Sequence, residues 1–178
     1  MSALRVYYDC EFLEDGRTID LISIGMVDED GRELYAVNRD MPVRRIRKHQ
    51  WLMANVVPGL PKAYGDERNH QRGWLFNPYD PAVRRPAEIA EQVREFILTT
   101  PDAELWAWYG AYDHVALAQL FGPMINLPKG VPMWTNDLRQ EYARLGEPEG
   151  LPEQVDGVHN ALADARHLRV RAEWLAQQ

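Results

Sequence analysis

The ten residues Val6–Asp15, VYYDCEFLED, place conflicting demands on one piece of chain. Val6, Tyr7, Tyr8, Cys10 and Phe12 read as a buried strand, yet Asp9 and Glu11 stand in its middle. Successive side chains on a strand point to opposite faces, so residues two apart share a face with Cα atoms roughly 6.5 Å from each other. Two carboxylates are therefore held side by side. Burying like charges that close is costly unless something positive lies between them, and a divalent cation is the usual solution.

Working outward from this strand, Asp15-Gly16 supplies a tight turn, and Asp30-Gly31 separates the β-prone runs IDLISIGMV and RELYAVN, a strong hairpin signal. The first third is predicted to be an antiparallel meander of three strands. A segment rich in Arg, Lys, Pro and Gly follows and reads as short helices and loops. From Pro86 the pattern is helical, with Ile89, Val93, Phe96 and Ile97 on one face, stopping near Thr99–Pro101. ELWAWY (104–109) is predicted as a strand, GAYDHVALAQLFG (110–122) as a strand-to-helix corner closed by Gly122, and Val131–Trp134 as a short strand. TNDLRQEYARLG (135–146) reads as a helix with Asn/Thr caps and a terminal Gly. HNALADARHLRVRAEWLA (159–176) reads as an amphipathic helix with the apolar stripe Leu162, Ala165, Leu168, Ala172 and Leu175. The order predicts an α/β fold: a central mixed sheet, its first three strands antiparallel and further strands parallel, flanked by helices.

Composition sets bounds on the function. At 178 residues the chain is expected to be one domain, 1–178, with ordinary globular proportions of 46% hydrophobic and 26% charged residues. The single Cys10 excludes an internal disulfide and suits a reducing compartment, so a cytoplasmic location is expected. No run of 18 apolar residues exists and the N-terminus passes straight into the first strand, which predicts neither a membrane span nor secretion. The formal charge of −7 alone would discourage a nucleic-acid partner, but between Arg39 and Arg72 eight Lys/Arg stand against three Asp/Glu. Positive charge is concentrated in one segment.

Three more residues share the chemistry of the opening pair. Asp113 falls where a strand ends and a helix begins, so its carboxylate is expected beyond the sheet edge, where ligands bind in open α/β sheets; taken alone, it also reads as a helix cap. If Asn160 caps the last helix, His159 lies in the loop before it and Asp164 about one turn inside, both able to reach a common point. A lone His before a helix is more often a surface or packing residue, and an acid near a helix N-terminus is explained by the macrodipole. Each signal is weak singly.

Together they form an ordered pattern: D-x-E at Asp9 and Glu11, Asp113 roughly a hundred residues on, then H-x-x-x-x-D at His159 and Asp164. This pattern resembles that of the DEDDh 3′-to-5′ exonucleases, ribonuclease T-like enzymes of the ribonuclease H-like superfamily. The similarity runs from YYDCEF through LISIGMV and LWAWYGAYDHVAL to HNALADAR, and the middle motif with the DLR helix after it looks most like the RNase AS type, exoribonucleases of adenylated RNA. The resemblance implies a ribonuclease H-like fold and two Mg²⁺ (or Mn²⁺) held by Asp9, Glu11, Asp113 and Asp164. It further implies His159 as general base, hydrolysis of RNA 3′ ends to nucleoside 5′-monophosphates, and a homodimer. The residue types suit that chemistry, because hard Mg²⁺ takes oxygen ligands and a neutral imidazole can accept a proton near pH 7.

Nucleotide contacts are expected from Phe12 and Trp51, which could stack on bases, and from Ser23, which could bond a base or ribose. Phe12 and Trp51 also read as core aromatics. Phe12 and Leu13 stand where many DEDDh members carry small Thr/Ser-type residues; the RNase AS type accepts an aromatic there. Arg44, Arg45, Arg47 and Lys48 could track phosphates, although a charge run usually marks a solvated face. Trp106 and Trp108 share one face and read as core. Competing readings are a DNA proofreading-type or short-oligonucleotide exonuclease, an inactive nucleic-acid-binding module, and a sugar hydrolase using two acids without metal.

Overall fold

The computed structural model describes residues 3–62 and 76–178. The opening stretch forms β1 (Arg5–Glu14), which the Asp15-Gly16 turn joins to β2 (Ile19–Asp28), and Asp30-Gly31 joins β2 to β3 (Glu33–Asn38). Gly31 takes the left-handed φ of 85° that this turn requires. The three strands pair antiparallel, as expected. The basic segment contains α1 (Val43–Ile46), α2 (Gln50–Asn55) and a 3₁₀ turn at Val57–Gly59. Its remainder, 63–75, lies outside the described residues.

The second half supplies the parallel part of the sheet. β4 (Val83–Arg84) pairs parallel to β3, β5 (Glu104–Ala107) parallel to β1, and β6 (Asn136–Asp137) parallel to β5. The strand order is β4-β3-β2-β1-β5-β6, so β1 lies inside a six-stranded mixed sheet. This is the α/β architecture expected of a ribonuclease H-like chain. Among the described residues, no helix is long and apolar enough to cross a membrane.

The helices sort by the two faces of β1. Val6, Tyr8 and Cys10 pack toward α3 (Pro86–Leu98) and α4 (Ala111–Gln119), where Ile89, Val93, Ile97, Ala116 and Leu117 close the core. Tyr7, on the other face, packs against Leu138 of α5 (Leu138–Arg144) and Leu168, Ala172 and Leu175 of α6 (Ala161–Leu175). Asp9 and Glu11 share that second face. A bulge follows Glu11 directly: Glu11 pairs with Ser23, but Phe12 pairs with Leu21, leaving Ile22 as the extra residue. Bulges re-aim side chains next to active sites.

Four expectations are corrected. The short strand lies at Asn136–Asp137 rather than Val131–Trp134, because Val131 is drawn into the core while Asn136 and Asp137 pair with β5. Asp137, not an Asn or Thr, caps α5, its carboxylate accepting the Arg139 N–H at 2.9 Å. β5 ends at Ala107 instead of Tyr109, since Tyr109 takes a φ of 58° and turns the chain into α4. The stripe on α6 begins with Ala161, fully buried, and Leu162 is only partly so. β4 escaped notice because two residues carry no periodicity.

Ala161 is buried for a reason that concerns β2. A Cβ on Gly25 would lie 2.3 Å from the backbone C and O of Ala161 and the N of Leu162. Gly25 pairs with Asp9, so the missing side chain lets the first turn of α6 rest on the sheet beside the β1 acids. Gly25→Ala is expected to push α6 off the sheet, since backbone cannot give as a side-chain tip would. The cost is about 3 kcal/mol or more. A thermal melt measures it, and a variant with unchanged Tm would show that α6 is not seated as described.

Candidate active site

The carboxyl ends of β1 and β5 open into a cleft of about 350 Å³ lined by Asp9, Glu11, Phe12, Tyr109, Asp113, His159 and Asp164, together with Cys10, Trp108 and Tyr112. Ligands of open α/β sheets bind at such strand ends. The structure thus brings together the four acids and the histidine, although 155 positions separate Asp9 from Asp164.

Each acid is aimed by a different device. Asp9 and Glu11 project from alternate positions of β1, Glu11 being only 7% exposed. Asp113 stands in the first turn of α4, whose N-cap is Gly110, so it is not a cap. Its carboxylate lines the cleft at the strand ends. It is 5% exposed, and its Oδ1 accepts the Cys10 backbone N–H at 2.8 Å, tying α4 to β1 between the two acids. Cys10 itself packs in the core.

Asp164 lies one turn into α6, after Asn160, whose side chain caps the helix by accepting the Ala163 N–H. Both Asp164 oxygens are engaged: Oδ1 accepts from Gln154 Nε2 at 2.6 Å, and Oδ2 from the His159 backbone N–H at 3.0 Å. His159 holds a left-handed φ of 65°, a conformation that costs a non-glycine residue about 1–3 kcal/mol and marks functional sites. The segment before it is laced along α6. His167 Nε2 meets the Pro152 carbonyl at 3.0 Å, and Arg171 Nε donates to the same oxygen at 3.1 Å. Ligand atoms of Glu11, His159 and Asp164 all lie within 4.8 Å of one another, a grouping able to hold a metal ion.

The electrostatics follow from this crowding. Burial, then repulsion from Asp164 and Asp113, pushes the Glu11 carboxyl up to about 8. Burial likewise pushes Asp113 up to about 7, against the lowering effect of the Cys10 N–H. Asp9 is raised well above the carboxylate range by burial and then by Asp113, Glu11 and Asp164. Asp164 is raised by burial, partly offset by Gln154 and His159. Four carboxylates so placed do not ionise together in protein alone; cationic charge among them would let them do so. The four carboxylates offer oxygen donors that fit a hard divalent cation, and the His159 ring nitrogen falls in the same grouping as Glu11 and Asp164.

The expected nucleotide contacts are distributed unevenly. Phe12 lies at the cleft, its ring nearly parallel to Tyr112, with centroids 6.1 Å apart. Trp51 is 49% exposed rather than a buried helix aromatic, and its ring meets His159 edge-on at 4.7 Å. Ser23, opposite Glu11 on β2, is sealed from solvent and does not line the cleft. Arg45 is committed to the β1–β2 turn, bonding Asp15 and Asp20. Trp106 is partly buried against the α5–α6 core, but Trp108 lines the cleft instead of packing wholly inside. Sequence reasoning also passed over Tyr109, Tyr112 and Gln154. The first two precede Asp113 in the same motif, which was the available signal; Gln154 had none.

No protein-family model matches the chain. Two curated relatives do, both 3′-5′ exoribonucleases, from two strains of Mycobacterium tuberculosis. Each is 44% identical over 165 residues, covering 92% of this chain and 88% of the relative. Likeness at that level over nearly the full length of both partners means that the chain belongs to the 3′-5′ exoribonuclease family.

Proposed function

We propose that this chain is a metal-dependent 3′-to-5′ exoribonuclease of the DEDDh, RNase AS-like type, removing nucleoside 5′-monophosphates from RNA 3′ ends such as adenylated tails or overhangs. The observation that carries this reading is the gathering of four acids and one histidine, from three distant parts of the chain, around one cleft. Asp9, Glu11, Asp113 and Asp164 would hold two Mg²⁺ (or Mn²⁺). Bound there, the ions would supply water activation and charge stabilisation at phosphorus. His159 takes the proton of the attacking water on a ring nitrogen, the water oxygen bonds to phosphorus as the bond to the O3′ of the remaining strand breaks, and that oxygen takes a proton from solvent water as it leaves. Phe12 and Trp51 face the terminal nucleotide, whereas Ser23 is sealed from solvent and off the cleft. The same reading takes residues 1–178 as one cytoplasmic domain and a homodimer, which light scattering tests.

Asp9→Ala and Asp164→Ala are expected to abolish 3′-end trimming and to weaken divalent-ion binding in calorimetry. His159→Ala is expected to lower the rate about 10²–10⁴-fold with ion binding largely retained. Normal ion affinity in both acid variants would refute the ligand assignment. RNA trimming that persists in EDTA would refute the metal requirement.

The raised carboxyls also predict a pH dependence. In EDTA the folded state keeps protons on Glu11 up to about pH 8 and on Asp113 up to about 7, whereas the unfolded chain releases them near its ordinary values. The folded state binds more protons across that window, so stability is greatest at its acid end and falls as pH rises, levelling above about 8. Melting curves from about pH 5 to 8 should show Tm falling, and Glu11→Gln should flatten the decline. Saturating Mg²⁺ should raise Tm most at the alkaline end, since the ion binds the folded state alone. A Tm that rises with pH and is indifferent to Glu11→Gln would contradict this electrostatic account.

A further inference from the structure

A carboxylate that is to hold an ion must keep its oxygens at a fixed angle, and such carboxylates are commonly held by a hydrogen-bonding partner behind them. Among the described residues, one side-chain amide or hydroxyl serves the four acids in this way: Gln154, whose Nε2 donates to Asp164 Oδ1 at 2.6 Å. It does not line the cleft, so its reach to the site is through Asp164.

Two features make this amide a fixed donor. Its root is tied, because the carbonyl of Pro152, two residues earlier, meets His167 Nε2 at 3.0 Å and accepts from Arg171 Nε at 3.1 Å. Asp164, His167 and Arg171 stand three and four residues apart on α6, so the stretch 152–154 runs along one stripe of that helix. Its orientation is set as well. Nε2 also donates to the Asp156 carbonyl at 3.2 Å, and turning the amide over would set its oxygen against a carboxylate oxygen.

The two oxygens of an ionised carboxylate offer about four lone-pair positions. Gln154 takes one on Oδ1 and the His159 backbone N–H one on Oδ2, which pins the carboxylate plane and leaves each oxygen capacity for an ion. The ligand atoms of Asp164, Glu11 and His159 are thereby kept within 4.8 Å of one another. Anchoring the loop does not by itself call for this acceptor, since the two bonds to the Pro152 carbonyl already do that.

We propose that Gln154 is a positioning residue for the divalent ion: by holding the Asp164 carboxylate in its ligating orientation, it sets how tightly the site retains that ion. This rests on the reading of Asp164 as an ion ligand. Gln154 has no part in gripping RNA or in moving the proton, so its loss shows as a need for more ion.

The test combines Mn²⁺ calorimetry with trimming of a single-stranded oligoadenylate over a range of Mn²⁺ concentrations, using the full chain. Gln154→Met keeps the volume and removes the donor; Gln154→Ala leaves room for a water in place of the amide. In Gln154→Met the Kd for Mn²⁺ and the Mn²⁺ concentration giving half-maximal trimming should both rise about 10–100-fold. In saturating Mn²⁺ its kcat and its KM for the oligoadenylate should return close to wild type, and Gln154→Ala should lose less. Tm in EDTA should change little, whereas the rise in Tm produced by a fixed, subsaturating Mn²⁺ concentration should shrink. Wild-type ion affinity in either folded variant would overturn the proposal. So would a lowered kcat that added Mn²⁺ does not restore, which would make Gln154 a brace for the 152–160 loop. A wild type that binds no Mn²⁺ would instead remove the ion-ligand reading itself, a separately visible result.

Discussion

The site depends on an approach of two backbones. Helices on sheets normally ride on side chains, but at Gly25 the first turn of α6 comes so near β2 that any Cβ would overlap the Ala161 carbonyl group. The absent side chain brings the His159–Asp164 turn to the level of Asp9 and Glu11. The other half of the convergence is polar. Asp113 reaches β1 by accepting the Cys10 N–H, so α4 is anchored between the two acids it joins. One steric permission and one hydrogen bond set how three remote segments meet.

That closeness has an electrostatic cost. Desolvation raises all four carboxyls, Glu11 to about 8 and Asp113 to about 7, and repulsion from the neighbouring acids adds to it at Asp9 and Glu11. The Cys10 N–H at Asp113 and the Gln154 and His159 donors at Asp164 offset only part of it. The described cleft lining contains no Lys or Arg, and Arg45, from the basic segment, is bonded to Asp15 and Asp20 at the far turn of the β1–β2 hairpin. A site tuned to stabilise its empty state would have placed a cation among the acids. This one keeps its charges unpaired, the arrangement expected where function is favoured over folding stability.

Much of this was legible in the sequence. The alternation around Asp9 and Glu11, the Asp-Gly turns and the helical periodicity of Pro86–Leu98 each carry a local physical signature, and the meander and α3 follow from them. The two-residue strands β4 and β6 were missed or misplaced because pairing with a neighbour, not periodicity, makes them strands. Asp113 illustrates the limit most clearly. Its position at a strand-to-helix corner was readable, but its burial was not, since that depends on an N–H from a residue 103 positions away. Likewise Trp108 looked like core from its spacing with Trp106, and only the early end of β5 turns it toward the cleft.

The bonds on Asp164 tie two functions into one small ring. Its Oδ2 takes the backbone amide of His159, closing a ring over residues 159–164, and its Oδ1 takes Gln154, so the carboxylate is clasped to the backbone that carries the imidazole. The His159 backbone and the Asp164 carboxylate are held in one register. Loosening the clasp would therefore switch the site off as a unit instead of slowing one step, and local breathing of the 152–160 segment would toggle all of it together.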